Sequence, residues 1–104
     1  MSRTLELGNT LVDGTKLAEV CQRYDVGELS LFGSAARGEM GPDSDIDIMV
    51  EFKPEARVGI IRFELLAEEL SRLAGREVDL VTKRGLKPWV HAEVLKDLRV
   101  IYAP

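Results

Sequence analysis

The sequence predicts an α/β domain in which a small mixed sheet of about four strands packs against helices around one core. Three observations predict it. Asp45 to Phe52 alternates polar and apolar residues with the two-residue period of a half-buried strand. Leu17, Val20, Cys21 and Tyr24, and again Phe63, Leu66, Leu70 and Leu73, recur at the three- and four-residue steps of a helix face. The chain has 104 residues, 45% of them hydrophobic, which is enough for one modest core and too few for two full domains. Residues 1–104 are therefore expected to form a single domain.

The elements follow in order. Residues 1–11 carry no strong pattern and are expected to form a loose arm or an extra turn. A helix is predicted from about Asp13 to Tyr24, with Asp13 or Thr15 as its cap and Asp25-Val26-Gly27 as its stop. Leu29–Phe32 reads as a short strand ending at Gly33, and Gly38, Gly41 and Pro42 punctuate the loop after it. The strand Asp45–Phe52 is closed by Lys53-Pro54-Glu55. A second helix is predicted from about Val58 to Ala74, with Gly75 as its C-terminal stop. Val78–Val81 is a third strand. Pro88 suits the first turn of a last helix, in which Val90, Val94, Leu95 and Leu98 lie near one face. Val100–Tyr102 is the fourth strand.

Composition excludes several functions. Fourteen basic against eighteen acidic residues give a net charge of -4, a poor basis for general nucleic-acid binding, which draws its affinity from basic groups. The single cysteine, Cys21, excludes an intrachain disulfide and a cysteine-based zinc cluster. Charges interrupt the first residues, so no signal peptide is expected, and no apolar run reaches the roughly 18 residues of a membrane span. A cytoplasmic, reducing setting is the expectation.

The charge is unevenly spread. Glu39, Asp43, Asp45, Asp47 and Glu51 fall within residues 39–51 with no basic residue among them. Such a cluster repels itself unless it is solvated, as an acidic surface loop would be, or neutralised by a cation. Lys83, Arg84, Lys87, Lys96 and Arg99 outweigh Glu93 and Asp97, and that stretch is expected to be a solvated helix face.

The chemistry concentrates on the strand that begins at Asp45. Side chains alternate across a strand, so Asp45 and Asp47 face one way while Ile46, Ile48 and Val50 face the other, toward a core. Aspartate is disfavoured in strands, and two on one face suggest a site, although an exposed edge would also tolerate them. Asp79, between Val78 and Leu80, joins the same open face if the two strands share a sheet. Three carboxylates that close cannot all remain ionised without a counter-charge, and hard oxygen donors suit magnesium rather than zinc. His91, the only histidine, is expected to be a surface residue and not a ligand. Upstream, Gly33 permits a ligand close to the backbone. Ser34 can cap a short helix whose amides favour a phosphate, and an ordinary cap explains the pair equally well. The P-loop pattern is absent. Arg37 either reaches a phosphate or pairs with a neighbouring acid.

Gly33-Ser34, ten further residues, Asp45-Ile46-Asp47 and a later strand carrying Asp79 together resemble the DNA polymerase β-like nucleotidyltransferase superfamily. The fuller string Gly33-Ser34-Ala35-Ala36-Arg37-Gly38, followed by Ser44-Asp45-Ile46-Asp47-Ile48, resembles its minimal nucleotidyltransferase (MNT) branch. The likeness runs from about Leu29 to Tyr102. It implies a single-domain nucleotidyltransferase fold. It also implies that Gly33 and Ser34, with Arg37 beside them, hold the triphosphate of ATP. Asp45 and Asp47 would bind two Mg²⁺ ions, and Asp79 would bind the catalytic metal and help activate an acceptor hydroxyl. MNT proteins commonly pair with a HEPN-domain ribonuclease toxin. The resemblance thus implies an antitoxin that transfers AMP to a tyrosine hydroxyl of that partner, within a homo- or hetero-oligomer. A chain of this length is not expected to contain a large acceptor-binding domain. Two rivals stay open: a module that neutralises its partner by covering it, and a nucleotidyltransferase acting on a small molecule.

Overall fold

In the computed structural model, residues 4–39, 41, 44–86, 92 and 94–103 are described. Thr4–Leu7 (β1) and Thr10–Asp13 (β2) form an antiparallel hairpin, with Leu7 paired to Thr10 across the two-residue loop Gly8-Asn9. Gly8 has φ 68°, which a glycine at the first loop position adopts without strain. This corrects the expected loose arm. Leu7 and Val12 are buried in the main core, so packing on the domain fixes a hairpin too short to stand alone.

Gly14–Arg23 (α1) follows directly. Of the two expected caps Asp13 is the real one: its carboxylate accepts from the Thr15 and Lys16 N–H groups at 2.8 and 3.3 Å. Val26–Leu31 (β3) begins three residues earlier than the expected Leu29. Val26 lies opposite Phe52 and Glu28 opposite Glu51, so Gly27 is an extra, bulged residue. The bulge breaks the two-residue period, which is why only the far end of the strand shows alternation. A Cβ at Gly27 would stand 3.2 Å from the Glu51 carbonyl oxygen, so the bulge suits glycine.

Gly33–Arg37 (α2) is a short helix closed by Gly38, and Ile46–Phe52 (β4) is the strand predicted from Asp45 to Phe52. Ile60–Ala74 (α3) ends at Gly75, whose φ of 68° gives the left-handed stop predicted there. Val78–Thr82 (β5) and Arg99–Tyr102 (β6) complete a four-stranded sheet in the order β5-β4-β3-β6. β4 and β5 are parallel, joined through α3, and the other pairs are antiparallel.

One sheet face carries the core. Leu29 and Leu31, Ile46, Ile48 and Val50, and Val78 and Leu80 pack with Leu17, Val20 and Cys21 of α1 and Leu66, Leu70 and Ala74 of α3. Ser30 and Met49, register partners that are also buried, lie on the other face with Asp47. Pro88, Val90, Lys87 and His91 lie outside the described residues, so the expected last helix is seen only at residues 92 and 94–96. Lys83 and Arg84 sit in a turn after β5 and Arg99 opens β6, so the basic stretch is not one helix face. Among the described residues no helix is long and apolar enough to cross a membrane.

Candidate active site

The end of β3 and the beginnings of β4 and β5 meet at one end of the sheet. The Phe32 N–H donates to the Asp47 carbonyl at 3.1 Å, one step beyond the β3–β4 ladder, and Asp47 pairs in register with Asp79. Neighbouring strands run about 4.8 Å apart, so these two carboxylates project side by side from the face opposite the core. Asp45 immediately precedes β4. It and Asp79 are exposed, whereas Asp47 is half-buried. Burial, then the charges of Asp79 and Asp45, push the Asp47 carboxyl above its ordinary value, and the Arg37 guanidinium partly opposes them. The three aspartates singled out in the sequence are thus brought into one electrostatic neighbourhood.

Gly33 is fixed there for two physical reasons. Its φ is 62°, and a Cβ on it would stand 2.7 Å from Asp47 Oδ2. Any side chain would be strained by the backbone and would also push against that carboxylate. The expectation that Ser34 caps α2 is overturned. Phe32, extended at φ -144°, is the N-cap and offers no side-chain bond, and Ser34 is the second helical residue. Of the two roles open to Arg37, the structure supplies the acid pairs: Nε donates to Glu39 at 3.0 Å and Nη1 to Asp97 at 3.2 Å.

A further group was missed in the sequence. Arg76 Nη2 donates to the carbonyls of Gly41 and Ser44 at 3.0 and 2.9 Å, and Nη1 donates to Asn9 Oδ1 at the hairpin loop. Ser44 Oγ accepts from the Gly41 N–H at 2.9 Å, which ties Gly41 to the residue just before Asp45. The Ile46 N–H donates to the Glu77 carbonyl at 3.0 Å. No local pattern announces these contacts, because they join residues 32 to 67 positions apart.

Among the described residues no three His, Cys, Asp or Glu side chains are gathered into a ready-made metal cage. Magnesium does not require one, since it is held through one or two carboxylates plus substrate phosphates and keeps several waters. Adjacent, mutually repelling carboxylates fit that mode. A groove lined by Val50, Phe52, Pro54, Val58, Thr82 and Lys83 opens at the opposite ends of β4 and β5 and includes none of these aspartates.

Comparison with known proteins converges on one family. Residues 15–102 match the nucleotidyltransferase domain family. The protein adenylyltransferase MntA of Thermococcus cleftensis is 41% identical over 80 residues, covering 77% of this chain and 79% of that protein. A crystal structure of a toxin–antitoxin with AMP-PNP shares the fold with a TM-score of 0.71 at 24% identity, over 88% of this chain and 73% of that one. A structure of a tri-AMPylated Shewanella oneidensis HEPN toxin in complex with MNT antitoxin matches with a TM-score of 0.63 at 22% identity, over 88% and 70% of the two chains. At those identities the two structures establish the fold.

Proposed function

The chain belongs to the nucleotidyltransferase domain family, and from that premise we propose that it transfers AMP from ATP to a tyrosine hydroxyl of a HEPN-type ribonuclease toxin, as the antitoxin of the pair. The observation that carries this reading is the register pairing of Asp47 with Asp79 beside a glycine that lies against the Asp47 carboxylate. The 41% identical relative named a protein adenylyltransferase supports the reaction, and the HEPN toxin complex supports the partner.

In this reading Gly33 and Ser34 hold the triphosphate, and Arg37 turns from Glu39 and Asp97 to meet it. Asp45 and Asp47 would hold two Mg²⁺ ions, with Asp79 as a further donor to the catalytic one. When bound, the metal supplies charge stabilisation to the attacking and leaving oxygens of an in-line displacement. Asp79, exposed at the rim, accepts the proton of the incoming hydroxyl. The acceptor oxygen bonds to the α-phosphorus as the bond to the β-phosphate oxygen breaks, and pyrophosphate leaves. A site open to solvent at Asp45 and Asp79 suits a hydroxyl carried on another protein's surface.

Thermal melts test the nucleotide site. ATP with Mg²⁺ should raise the melting temperature by several degrees, since a ligand at a hundred times its Kd adds about 2.7 kcal/mol. An acidic site repels an unescorted polyphosphate, so ATP with a chelator should add little. Equal stabilisation under both conditions, or an unchanged Mg²⁺-dependent shift in Asp47→Asn, contradicts the reading.

A further inference from the structure

The residues that deliver the three aspartates are tied to one cation that the reaction above does not use. Arg76 holds the carbonyls of Gly41 and Ser44, at 3.0 and 2.9 Å, and Asp45 is the residue after Ser44. Glu77, adjacent to Arg76, holds the first residue of β4 through the Ile46 N–H at 3.0 Å, and Asp79, two residues on, pairs with Asp47. The Arg76 backbone is anchored in turn, its N–H donating to the Ser71 carbonyl at the end of α3 at 3.2 Å. Arg76 reaches Asp45 through the backbone carbonyls of Gly41 and Ser44. Asn9 braces the guanidinium from the hairpin loop, and that loop precedes the residues 15–102 matched to the family.

We infer that Arg76, braced by Asn9, is a positioning residue that fixes Gly41 and Ser44 so that Asp45 stands beside Asp47 and Asp79 and a divalent cation binds more tightly. The inference rests on the proposed metal-dependent reading of the aspartates. A planar guanidinium spans two carbonyls and an amide oxygen at once, whereas a lysine ammonium is a single point on a flexible stem. Outer groups that orient metal ligands typically change affinity 10- to 100-fold when removed.

The test is Mn²⁺ binding by the full chain, read by electron paramagnetic resonance, beside thermal melts without metal. Arg76→Lys is expected to bind Mn²⁺ about tenfold more weakly while remaining folded. Asn9→Ala, an exposed change that spares the fold, is expected to lose affinity in the same direction by a smaller factor. Asn9→Asp, which keeps an acceptor oxygen for Arg76, should bind like the parent. Parent-like Mn²⁺ affinity in folded Arg76→Lys and in Asn9→Ala overturns the positioning role, as does an Asn9→Asp protein no better than Asn9→Ala. Should the parent bind no Mn²⁺, or Asp47→Asn bind it as well as the parent, the aspartate reading itself fails and the inference falls with it.

Discussion

Replacing Asp47 by asparagine should make the metal-free protein more stable, the reverse of what losing a structural acid does. Asp47 and Asp79 are register partners on adjacent strands, and burial together with Asp79 and Asp45 pushes the Asp47 carboxyl up. Two carboxylates about 5 Å apart repel by about 1 kcal/mol in a water-like medium and about 3 kcal/mol at an effective dielectric near 20. Asp79 is exposed and Asp47 half-buried, so screening sets the gain at the lower end, about 1 kcal/mol. For a domain of this size that is a rise of about 4–8 °C in Tm. The sign with pH follows from the raised value. A carboxyl that titrates higher in the folded state than unfolded leaves stability intact below the unfolded value and removes it as pH rises through the folded one. The advantage of Asp47→Asn should therefore be full at neutral pH, shrink as the pH falls toward the ordinary carboxylate range, and shrink in high salt. Chelator-treated melts of parent and variant across pH measure it. A variant destabilised by 1–3 kcal/mol at neutral pH, as loss of a hydrogen-bonded structural carboxylate would cause, refutes the reasoning.

Three further outcomes follow from the geometry. Gly33→Ala meets both a φ of 62° and a 2.7 Å approach to Asp47 Oδ2; urea unfolding should find it destabilised by more than about 1 kcal/mol, and parental stability would contradict that crowding. Ser34→Ala should stay within about 0.5 kcal/mol of the parent because Ser34 is not the cap of α2, while calorimetry should find weaker MgATP binding; a loss near the 1 kcal/mol of a broken cap would restore the capping role. Burial pushes the Cys21 thiol up to about 12, so a thiol-reactive disulfide should label the native protein slowly at neutral pH and the urea-unfolded chain quickly; rapid native labelling would contradict the packing of α1 on the sheet.

The parts legible in the sequence are those whose cause is local. β4 is readable because Ile46, Ile48 and Val50 recur at every second position after Asp45, and the same period places Asp79 opposite Asp47 once β4 and β5 share a sheet. α1 and α3 are readable from their apolar steps and from Asp13 and Gly75 at their ends. The hairpin was missed although Gly8-Asn9 is a two-residue turn signal, because its short strands gain stability only by burying Leu7 and Val12 in the main core. The early part of β3 was missed because the Gly27 bulge shifts the period. Ser34 was misassigned by two positions: the left-handed Gly33 begins the helix and makes Phe32 the N-cap. Arg76 was beyond reach for a different reason, since its side chain meets two distant carbonyls and an asparagine in a loop, contacts that no local pattern marks.

Radiolabel transfer tests the central claim most directly. The full chain is incubated with Mg²⁺ and ATP labelled at either the α- or the γ-phosphate, together with a co-expressed HEPN-domain ribonuclease as acceptor. The account predicts label on a tyrosine of the acceptor from the α-position only, with pyrophosphate released in equal amount and transfer lost in Asp79→Asn. Label arriving from the γ-position, or α-label transfer undiminished in a folded Asp79→Asn protein, would contradict it.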